Sequence, residues 1–356
     1  MRHPAHYVLP PLLLVALSSC VAIAPVETID PGTEIEAASR TPALAASDRS
    51  SLASDRFIAA DGVALPLRAW LPEGRPSAVV LALHGLNDYS NAFALPAPGF
   101  LAQGIAVYAF DQRGFGAAPP RGRWAGDRAM VADAILATRL LRERYPDIPL
   151  YLLGESMGGA IAVLAVTGPA PAPVDGVILA APAVWGRQTM NIFERVGWWV
   201  ITQLPALEFT QRSVPYKIHP SDNIPMLRAL GADPLVLKEA RTDTLAGVVD
   251  LMSAAVARAP YLAVPALILY GEKDEIVPRD AVASFVDHLP ADAQRRQRIA
   301  LYPNGYHMLL RDLQGATVLA DVAAWVHDPR AGLPSGADSG GRALLTGRGE
   351  SFARLD

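Results

Sequence analysis

The chain has 356 residues, which is long enough for one large domain or two modest ones. Hydrophobic residues make up 51% and charged residues 19%, a composition that is too polar for a protein with several membrane spans. With 31 Lys and Arg against 35 Asp and Glu, the net charge of -4 gives no reason to expect nucleic acid as a partner. Cys20 is the single cysteine, which excludes an intramolecular disulfide and a cysteine-based metal site.

The N-terminus has the pattern of a secretory signal peptide over residues 1–19. A basic start precedes the apolar run 7–17, which is too short to span a bilayer stably, and small residues follow. The segment Leu17-Ser18-Ser19-Cys20 resembles the lipobox of bacterial lipoproteins, in which the cysteine receives a diacylglyceryl group. We therefore expect lipidation of Cys20 and a membrane-anchored lipoprotein that faces the periplasm or the cell surface. The alternative is an ordinary signal peptide with an incidental cysteine, and both interpretations predict export.

Two segments without periodicity flank a predicted folded domain over residues 55–328. Residues 20–54 are rich in Ala, Ser, Thr, Pro, Asp and Glu, which predicts a flexible tether. Residues 329–356 turn to Gly, Ser, Arg and Ala without pattern, which predicts a disordered tail.

The domain opens with a predicted hairpin, and unbroken apolar runs then alternate with helical patterns. The hairpin pairs residues 57–59 with 63–71 around the turn Asp61-Gly62. Unbroken apolar runs are typical of strands covered on both faces, and their alternation with helices predicts an α/β protein with a doubly wound, mainly parallel sheet. Its ligands are expected at the carboxyl ends of the strands. The predicted sheet strands are 78–83, 105–110, 150–153, 176–180, 266–270 and 297–301, and the predicted helices are 129–145, 157–167, 280–289 and 312–326.

The alternation stops over residues 184–259, which predicts a helical cap insertion with one helix over 190–203. In one interpretation, the aromatic residues of this cap line an acyl pocket or contact a membrane surface. In the other, they pack the cap onto the core. The residues concerned are Trp185, Phe193, Trp198, Trp199 and Phe209.

The motif Gly154-Glu155-Ser156-Met157-Gly158 lies where a predicted strand gives way to a predicted helix. At such a junction, G-x-S-x-G is the pattern of a nucleophile elbow, whose strained backbone presents the serine hydroxyl above the sheet. Side chains at positions 154 and 158 would collide with the neighbouring strand and helix. The start of the helix directs N–H groups at the same point, which favours an oxyanion there. Ser156 is therefore the candidate nucleophile.

A serine nucleophile needs an imidazole to accept its proton and a carboxylate to orient that imidazole. In this arrangement the order along the chain is serine, acid and histidine, each in a loop that follows a strand. Asp274 follows a predicted strand and is the candidate acid, with Glu272 and Glu275 as the alternatives. His307 follows the next predicted strand and is the candidate base.

The segment His84-Gly85-Leu86-Asn87 follows the first predicted strand of the sheet core. This loop is expected to supply the second backbone donor to an oxyanion, so the N–H groups of Leu86 and Met157 form the predicted oxyanion hole. We expect the side chain of His84 to hold the loop by hydrogen bonds, the alternative being a role as the base.

With these motifs, the chain resembles the monoacylglycerol lipase and lysophospholipase group of α/β-hydrolases, which is sometimes filed with serine aminopeptidases. The resemblance runs from about residue 57 to residue 325. It rests on His84-Gly85, Asp111-Gln112-Arg113-Gly114-Phe115-Gly116, Gly154-Glu155-Ser156-Met157-Gly158-Gly159, Gly271-Glu272-Lys273-Asp274 with Val277-Pro278, and Tyr306-His307. Two features depart from the group: Asn87 stands where glycine is usual, and Gln112 and Phe115 stand where relatives often carry histidines.

The resemblance implies an α/β-hydrolase fold and hydrolysis of carboxylic esters through an acyl-enzyme, with Ser156, Asp274 and His307 as the triad. It also implies a cap that shapes an acyl pocket, and no metal or organic cofactor. We expect a lipid-like ester as the substrate, of the monoacylglycerol or lysophospholipid type, with the lipid anchor holding the enzyme at a membrane. The alternatives are a peptidase or amidase on the same fold, and a non-catalytic surface lipoprotein that binds a partner through its cap.

Overall fold

A computed structural model describes residues 51–190, 192–202, 208–210, 218–291 and 296–347. The predicted signal peptide, Cys20 and the predicted tether up to residue 50 lie outside the described residues. Within these described ranges, no helix is both long enough and apolar enough to cross a membrane.

The described part of the chain contains eleven strands and nine α-helices. The strands are β1 Ser51–Leu52, β2 Arg56–Ile58, β3 Ala64–Trp70, β4 Ala78–Leu83, β5 Ile105–Phe110, β6 Leu150–Glu155, β7 Gly176–Ala180, β8 Glu208–Thr210, β9 Glu239–Arg241, β10 Ala266–Gly271 and β11 Gln297–Tyr302. The α-helices are α1 Ala97–Leu101, α2 Asp127–Arg144, α3 Met157–Thr167, α4 Ile192–Thr202, α5 Ile224–Ala232, α6 Thr242–Arg258, α7 Arg279–Asp287, α8 Gly315–His327 and α9 Gly341–Leu345. All six predicted strands of the sheet core are present.

Nine of these strands form one sheet in the order β1-β2-β3-β5-β4-β6-β7-β10-β11. The predicted hairpin is confirmed, because β2 and β3 pair antiparallel, and the six strands from β5 to β11 run parallel. From β4 the chain passes first to β5 on one side and then to β6 on the other, so the sheet has a topological switch point at the carboxyl ends of β4 and β6. Open α/β sheets bind their ligands at such a point, and here the strands end at Leu83 and Glu155.

Two apolar cores cover the two faces of the sheet, as expected of unbroken apolar strands. One core includes side chains from α2, α3, α6 and α7, and the other includes side chains from α1 and α8. Strand β4 shows the alternation, because it sends Val79, Leu81 and Leu83 into the first core and Ala78, Val80 and Ala82 into the second. The predicted fold class, an α/β doubly wound and mostly parallel sheet, is confirmed.

The predicted cap insertion contains α4, β8, α5, β9 and α6, but α6 belongs to the core. Leu251 and Ala255 on α6 are fully buried, and the helix packs against α3. The physical reason is the connection from β7 to the parallel strand β10, which needs a helix on one face of the sheet. The cap, as the part of the insertion that lies outside the two core layers, therefore ends at β9 and not at residue 259.

The aromatic residues of the cap divide between packing and exposure. Trp198 is buried and Trp185 is half-buried against the first core, so these two pack the cap onto the domain. The exposed fractions of Ile192, Val196 and Trp199 are 64%, 55% and 64%, and their spacing places them on one side of α4. The side chains of Phe193 and Phe209 lie outside the described residues.

The prediction of a disordered tail from residue 329 is wrong for residues 329–347. This segment lies along the edge strand β11, where the N–H of Leu301 donates to the carbonyl of Ala337. Leu333 is buried in the second core and Leu345, on α9, is buried in the first. Single buried leucines and a backbone hydrogen bond hold this segment against the domain. The segment therefore lacks the periodic spacing of apolar residues by which helices and strands are recognised in a sequence.

The predicted tether also ends earlier than expected, because residues 51–54 belong to the domain. Strand β1 pairs antiparallel with β2, and the side chain of Leu52 is buried in the first core. The guanidinium of Arg144 on α2 donates to the carbonyl of Leu52. A two-residue strand is too short to show the alternation by which strands are recognised in a sequence.

Candidate active site

Ser156 forms the junction between β6 and α3, with φ 53° and ψ -116°. Non-glycine residues seldom adopt a positive φ, and such strain persists only where the surroundings impose it. The N–H of Ser156 donates to the carbonyl of Ala180 on β7 at 3.0 Å, and its carbonyl accepts the N–H groups of Gly159 and Ala183. These hydrogen bonds hold the turn, and the half-buried serine stands at the carboxyl edge of the sheet.

The glycines of the elbow are required by close backbone contacts. A Cβ atom on Gly154 would lie 2.3 Å from the carbonyl oxygen of Gly158, and one on Gly158 would lie 2.1 Å from that of Leu83. The predicted collisions at positions 154 and 158 are therefore confirmed. Since α3 begins at Met157, the N–H groups of Met157 and Gly158 have no acceptor within the helix and lie at its start beside Ser156.

Asp274 and His307 lie in the loops after β10 and β11 and contact each other directly. Nδ1 of His307 lies 2.8 Å from Oδ2 of Asp274, and both side chains are buried, at 6% and 0% exposed. The other carboxylate oxygen of Asp274 accepts the N–H groups of Ile276 and Val277, at 2.7 and 3.0 Å. A carboxylate fixed in this way makes Nδ1 of the imidazole the donor and leaves Nε2 as the acceptor.

The alternative acids have other partners. Glu275 accepts the backbone N–H of His219 at 2.7 Å, and a carboxylate oxygen of Glu272 lies 3.6 Å from the guanidinium of Arg279. Both glutamates are partly exposed, whereas Asp274 is buried at the imidazole. Asp274 is thus the carboxylate that orients His307.

Burial of His307 opposes its protonation, but the charge of Asp274 and the hydrogen bond to it outweigh this effect and raise the pKa of His307 above its ordinary value. The nearby carboxylate of Glu155 adds to the rise, and the guanidinium of Arg311 acts against it. A base that must become cationic during a reaction is stabilised by such surroundings.

The turn after β4 contacts the elbow. A Cβ atom on Gly85 would lie 3.3 Å from Cβ and 3.9 Å from Oγ of Ser156, so this turn passes beside the serine side chain. Asn87 has φ 65°, in the left-handed region that Asn tolerates better than most residues, and its carbonyl accepts the N–H of Leu237 from the cap. The turn therefore forms with Asn87 in place of glycine. The oxyanion hole formed by Leu86 and Met157 stays a prediction.

His84 holds the loop and is not available as a base. Its Nε2 accepts the N–H of Gln112 at 3.0 Å, and its Nδ1 donates to the carbonyl of Gly85 at 2.8 Å. The amide of Gln112 donates back to the carbonyl of His84. Burial lowers the pKa of His84, which keeps this ring neutral. Gln112, which with Phe115 makes up the second departure from the resemblance, therefore pairs with His84 to connect the loops after β4 and β5.

A buried ion cluster of Arg311, Asp88 and Glu155 lies beside the elbow, and none of these three residues is predicted as a functional residue from the sequence. The guanidinium of Arg311 donates to Asp88 at 2.8 Å and to Glu155 at 2.7 Å. The available signal was an arginine four residues after the candidate base, directly after the apolar pair Leu309-Leu310. A charge in such a stretch indicates a buried partner of opposite sign.

Two segments of the cap are bound to the same loops. In the first, the carbonyl of Pro220 accepts the N–H of Met308, and the hydroxyl of Ser221 donates to Asp312 at 2.6 Å. In the second, the carboxylate of Asp233 accepts the hydroxyl of Tyr89 at 2.7 Å. Helix α5 lies between the two segments, so both of its ends are fixed to loops of the candidate site.

The site thus combines a hydroxyl on a strained elbow with an imidazole oriented by a buried carboxylate, at one edge of the sheet. These are the groups that acyl transfer to a serine requires. Among the residues that the structure describes, no group of three or more His, Cys, Asp or Glu is placed to hold a metal ion.

Curated relatives and solved structures resemble this chain over most of its length. A monoacylglycerol lipase of Mycolicibacterium smegmatis is 26% identical over 283 residues, which cover 78% of this chain and 98% of the relative. The human monoglyceride lipase is 28% identical over 284 residues, covering 76% and 89%. The crystal structure of a monoacylglycerol lipase from Paleococcus ferrophilus superposes with a TM-score of 0.60 at 23% identity, over 74% of this chain and 98% of that one.

A soluble variant of the monoglyceride lipase of Saccharomyces cerevisiae, solved in complex with a substrate analog, gives a TM-score of 0.63 at 20% identity, over 76% of this chain and 93% of that one. Similarity at this level of identity supports the α/β-hydrolase fold. The family model described as serine aminopeptidase, S33 matches residues 74–314, which contain Ser156, Asp274 and His307. Because this match spans more than half of the chain, the protein belongs to the S33 serine aminopeptidase family of α/β-hydrolases.

Proposed function

We propose that this chain hydrolyses carboxylic esters through an acyl-enzyme on Ser156, and that its substrates are of the monoacylglycerol or lysophospholipid type. The observation that carries the proposal is the buried contact of 2.8 Å between His307 and Asp274, at the same edge of the sheet as the elbow of Ser156. The curated relatives named monoacylglycerol or monoglyceride lipase support the substrate class, because their similarity covers about three quarters of this chain.

In the proposed reaction, Nε2 of His307 takes the proton of Ser156 as Oγ attacks the ester carbonyl. The N–H groups of Leu86 and Met157 stabilise the oxyanion of the tetrahedral intermediate. His307 then gives its proton to the leaving alcohol, and Ser156 retains the acyl group. A water molecule, deprotonated by His307, attacks this acyl-enzyme and releases the fatty acid, while the proton returns to Ser156.

A panel of substrates tests this proposal. It compares monoacylglycerols and lysophospholipids of increasing acyl length with aminoacyl amides, at an enzyme concentration measured by fluorophosphonate titration. We expect kcat/KM to vary with acyl length and to be far higher for the esters. Folded protein that turns over none of these substrates would contradict the proposal and favour the alternative of a partner-binding surface lipoprotein.

The second candidate is a peptidase or amidase, which the description of the family favours. An aminopeptidase must bind the free α-ammonium group of its substrate, and a carboxylate is the usual partner for such a group. Of two buried carboxylates beside the elbow, Asp88 is occupied at both oxygens, by Arg311 and by the N–H of Tyr89, and Glu155 is bound to Arg311 through one oxygen. This pairing supports the ester hydrolase over the aminopeptidase, and higher kcat/KM for the amides in the panel would reverse the conclusion.

We also propose that the protein is exported and anchored through a lipid on Cys20, which would keep it beside membrane-derived substrates. The support is the small-residue segment before the single cysteine. In the native host, Cys20→Ser should move the protein from the membrane fraction to the soluble fraction. Ser19→Ala keeps a small residue before the cysteine and should stay with the membrane. Equal membrane binding of Cys20→Ser and the wild type would contradict the anchor.

The exposed apolar side of α4 is a candidate surface for contact with lipid. Ile192 and Val196 are 64% and 55% exposed, on the amphipathic helix α4 of the cap. The double variant Ile192→Ser/Val196→Ser should bind less to liposomes and hydrolyse vesicle-borne substrate more slowly, while keeping wild-type kcat/KM on a soluble short-chain ester. Unchanged binding to liposomes would exclude this surface.

A further inference from the structure

We propose that Arg311 is a positioning residue for the ester hydrolysis proposed above: its guanidinium fixes the turn that follows β4 relative to the strand end that carries Ser156. The two loops come from different strands and have to keep their separation to within a fraction of an ångström for an oxyanion donor to be effective. The guanidinium of Arg311 binds both of them.

The contacts of Arg311 are buried and bridging. Its guanidinium lies 2.8 Å from Oδ2 of Asp88 and 2.7 Å from Oε1 of Glu155. The side chains of Arg311, Asp88 and Glu155 are only 5%, 6% and 3% exposed. Burial disfavours the cation, but the charges of Glu155 and Asp88 outweigh it and raise the pKa of Arg311, so the guanidinium stays charged.

The contact with Asp88 acts on the predicted oxyanion turn. The N–H of Asp88 donates to the carbonyl of Gly85 at 3.3 Å, which closes a turn around Leu86 and Asn87. Its second carboxylate oxygen accepts the N–H of Tyr89 at 2.9 Å. Asp88 thus joins the turn to Arg311, and the direction of the Leu86 N–H depends on where that turn is held.

The contact with Glu155 acts on the elbow. Glu155 is the last residue of β6 and directly precedes Ser156. Its second carboxylate oxygen, Oε2, is buried and has no hydrogen-bond partner among the described residues, so Arg311 is the cation on which this carboxylate depends. Movement of Arg311 would therefore move the residue next to the nucleophile.

The backbone of Arg311 belongs to the turn that also carries His307. The N–H of Arg311 donates to the carbonyl of Met308, and its own carbonyl accepts the side-chain amide of Asn223 from the cap, both at 2.8 Å. The guanidinium therefore joins three segments: the turn after β4, the elbow and the loop of the base. Only arginine supplies a planar fork with donors in two directions, whereas lysine is a single point charge.

Arg311→Lys is the primary test, because it keeps the charge and removes the fork. We expect kcat per fluorophosphonate-titrated site to fall about 10²-fold with KM nearly unchanged, since a misplacement of about 1 Å has an effect of that size. The matched control is Arg142→Lys. Arg142 binds the carbonyl of Ile148 and the carboxylate of Asp175, before the amino ends of β6 and β7, so its variant should keep wild-type kcat per site.

Asp88→Asn tests the same contact from the other side and is the decisive variant if Arg311→Lys does not fold. Asn has the shape of Asp, so this variant removes the charge without changing the packing. It should lower kcat on the order of tenfold. In the double variant with Arg311→Lys, kcat should fall no further than in Arg311→Lys alone, because both changes break the same contact.

The pH profile separates positioning from a charge effect on His307, which faces Asp274, Glu155 and Arg311. Arg311→Lys keeps the cation, so the acid limb of kcat/KM should stay in place while the plateau falls. Glu155→Gln removes a carboxylate that acts to raise the pKa of His307, so its acid limb should move to lower pH.

Wild-type kcat per titrated site in Arg311→Lys or in Asp88→Asn, with only a loss of thermal stability, would overturn the inference. So would additive losses in the double variant. Wild-type protein that neither reacts with the fluorophosphonate nor hydrolyses esters would overturn the proposed function itself, which distinguishes the two failures.

Discussion

The carboxylate of Asp274 binds Nδ1 of His307 through one oxygen and the N–H groups of Ile276 and Val277 through the other. The second set of bonds prevents the carboxylate from rotating away from the imidazole. The pair is buried, so water does not compete for the hydrogen bond. The orientation of His307 is therefore fixed by the loop after β10, before any substrate is bound.

Asp274→Asn should lower kcat about 10⁴-fold with little change in KM, because the amide group of Asn favours the wrong tautomer of His307. Steady-state kinetics on a soluble ester measure the effect. Glu272→Gln is the control in the same loop and should keep full activity, since Glu272 faces Arg279. Activity of Asp274→Asn within tenfold of the wild type would exclude Asp274 as the orienting acid.

The pH profile should reflect the raised pKa of His307. The base accepts a proton only when it is neutral, so activity is lost as the pH falls through this pKa. The acid limb of kcat/KM should therefore lie above about 6.5, the ordinary value for histidine. Removing the charge in Asp274→Asn should move the remaining activity to lower pH. A wild-type limb at or below the ordinary value would contradict the predicted direction.

Gly158→Ala should destabilise the elbow, because the added Cβ atom would meet the carbonyl oxygen of Leu83 at 2.1 Å. Overpacking against backbone of this severity has an effect on the order of 3 kcal/mol on the free energy of unfolding. Gly231→Ala is the matched control: beyond its chain neighbours and the backbone of its own helix, no atom of the described residues lies within 4 Å of the added Cβ, and alanine favours the helix α5. Urea denaturation measures both variants, and equal stability of the two would contradict the prediction.

The C-terminal segment should contribute to stability through Leu345. This residue is 3% exposed in the first core, so Leu345→Ala should lower the free energy of unfolding by about 2–5 kcal/mol. Its neighbour Leu344 is 52% exposed, and Leu344→Ala should change stability by less than about 0.5 kcal/mol. If the two variants unfold at the same urea concentration, the packing of α9 on the domain is disproved.

The sheet was predictable because each of its central strands is an apolar run that two core layers bury. Strand β4, Ala78–Leu83, has no exposed position, and a run of that kind has few other placements in a protein. The C-terminal segment was not predictable, since Leu333 and Leu345 are single anchors without a period. The sequence pattern places α6 in the cap, because the burial of this helix follows from the crossover between β7 and β10, which is a feature of topology and not of local sequence.

The elbow and the contact between Asp274 and His307 were predictable from local rules: glycines around a serine at a strand end, and polar residues after the next strands. Arg311 was not, because its partners Asp88 and Glu155 lie 223 and 156 residues away along the chain. An ion pair between residues so far apart has no characteristic spacing by which it could be recognised in the sequence. The fold excludes Glu272 and Glu275 as the orienting acid, because Glu272 faces Arg279 and Glu275 accepts the N–H of His219. The sequence alone does not show these partners.

Covalent labelling with a fluorophosphonate, followed by peptide mapping, identifies the nucleophile. We expect one adduct per folded wild-type molecule, located on Ser156, and loss of both the adduct and ester turnover in Ser156→Ala. An adduct on another residue, or full ester turnover by Ser156→Ala, would exclude Ser156 as the nucleophile.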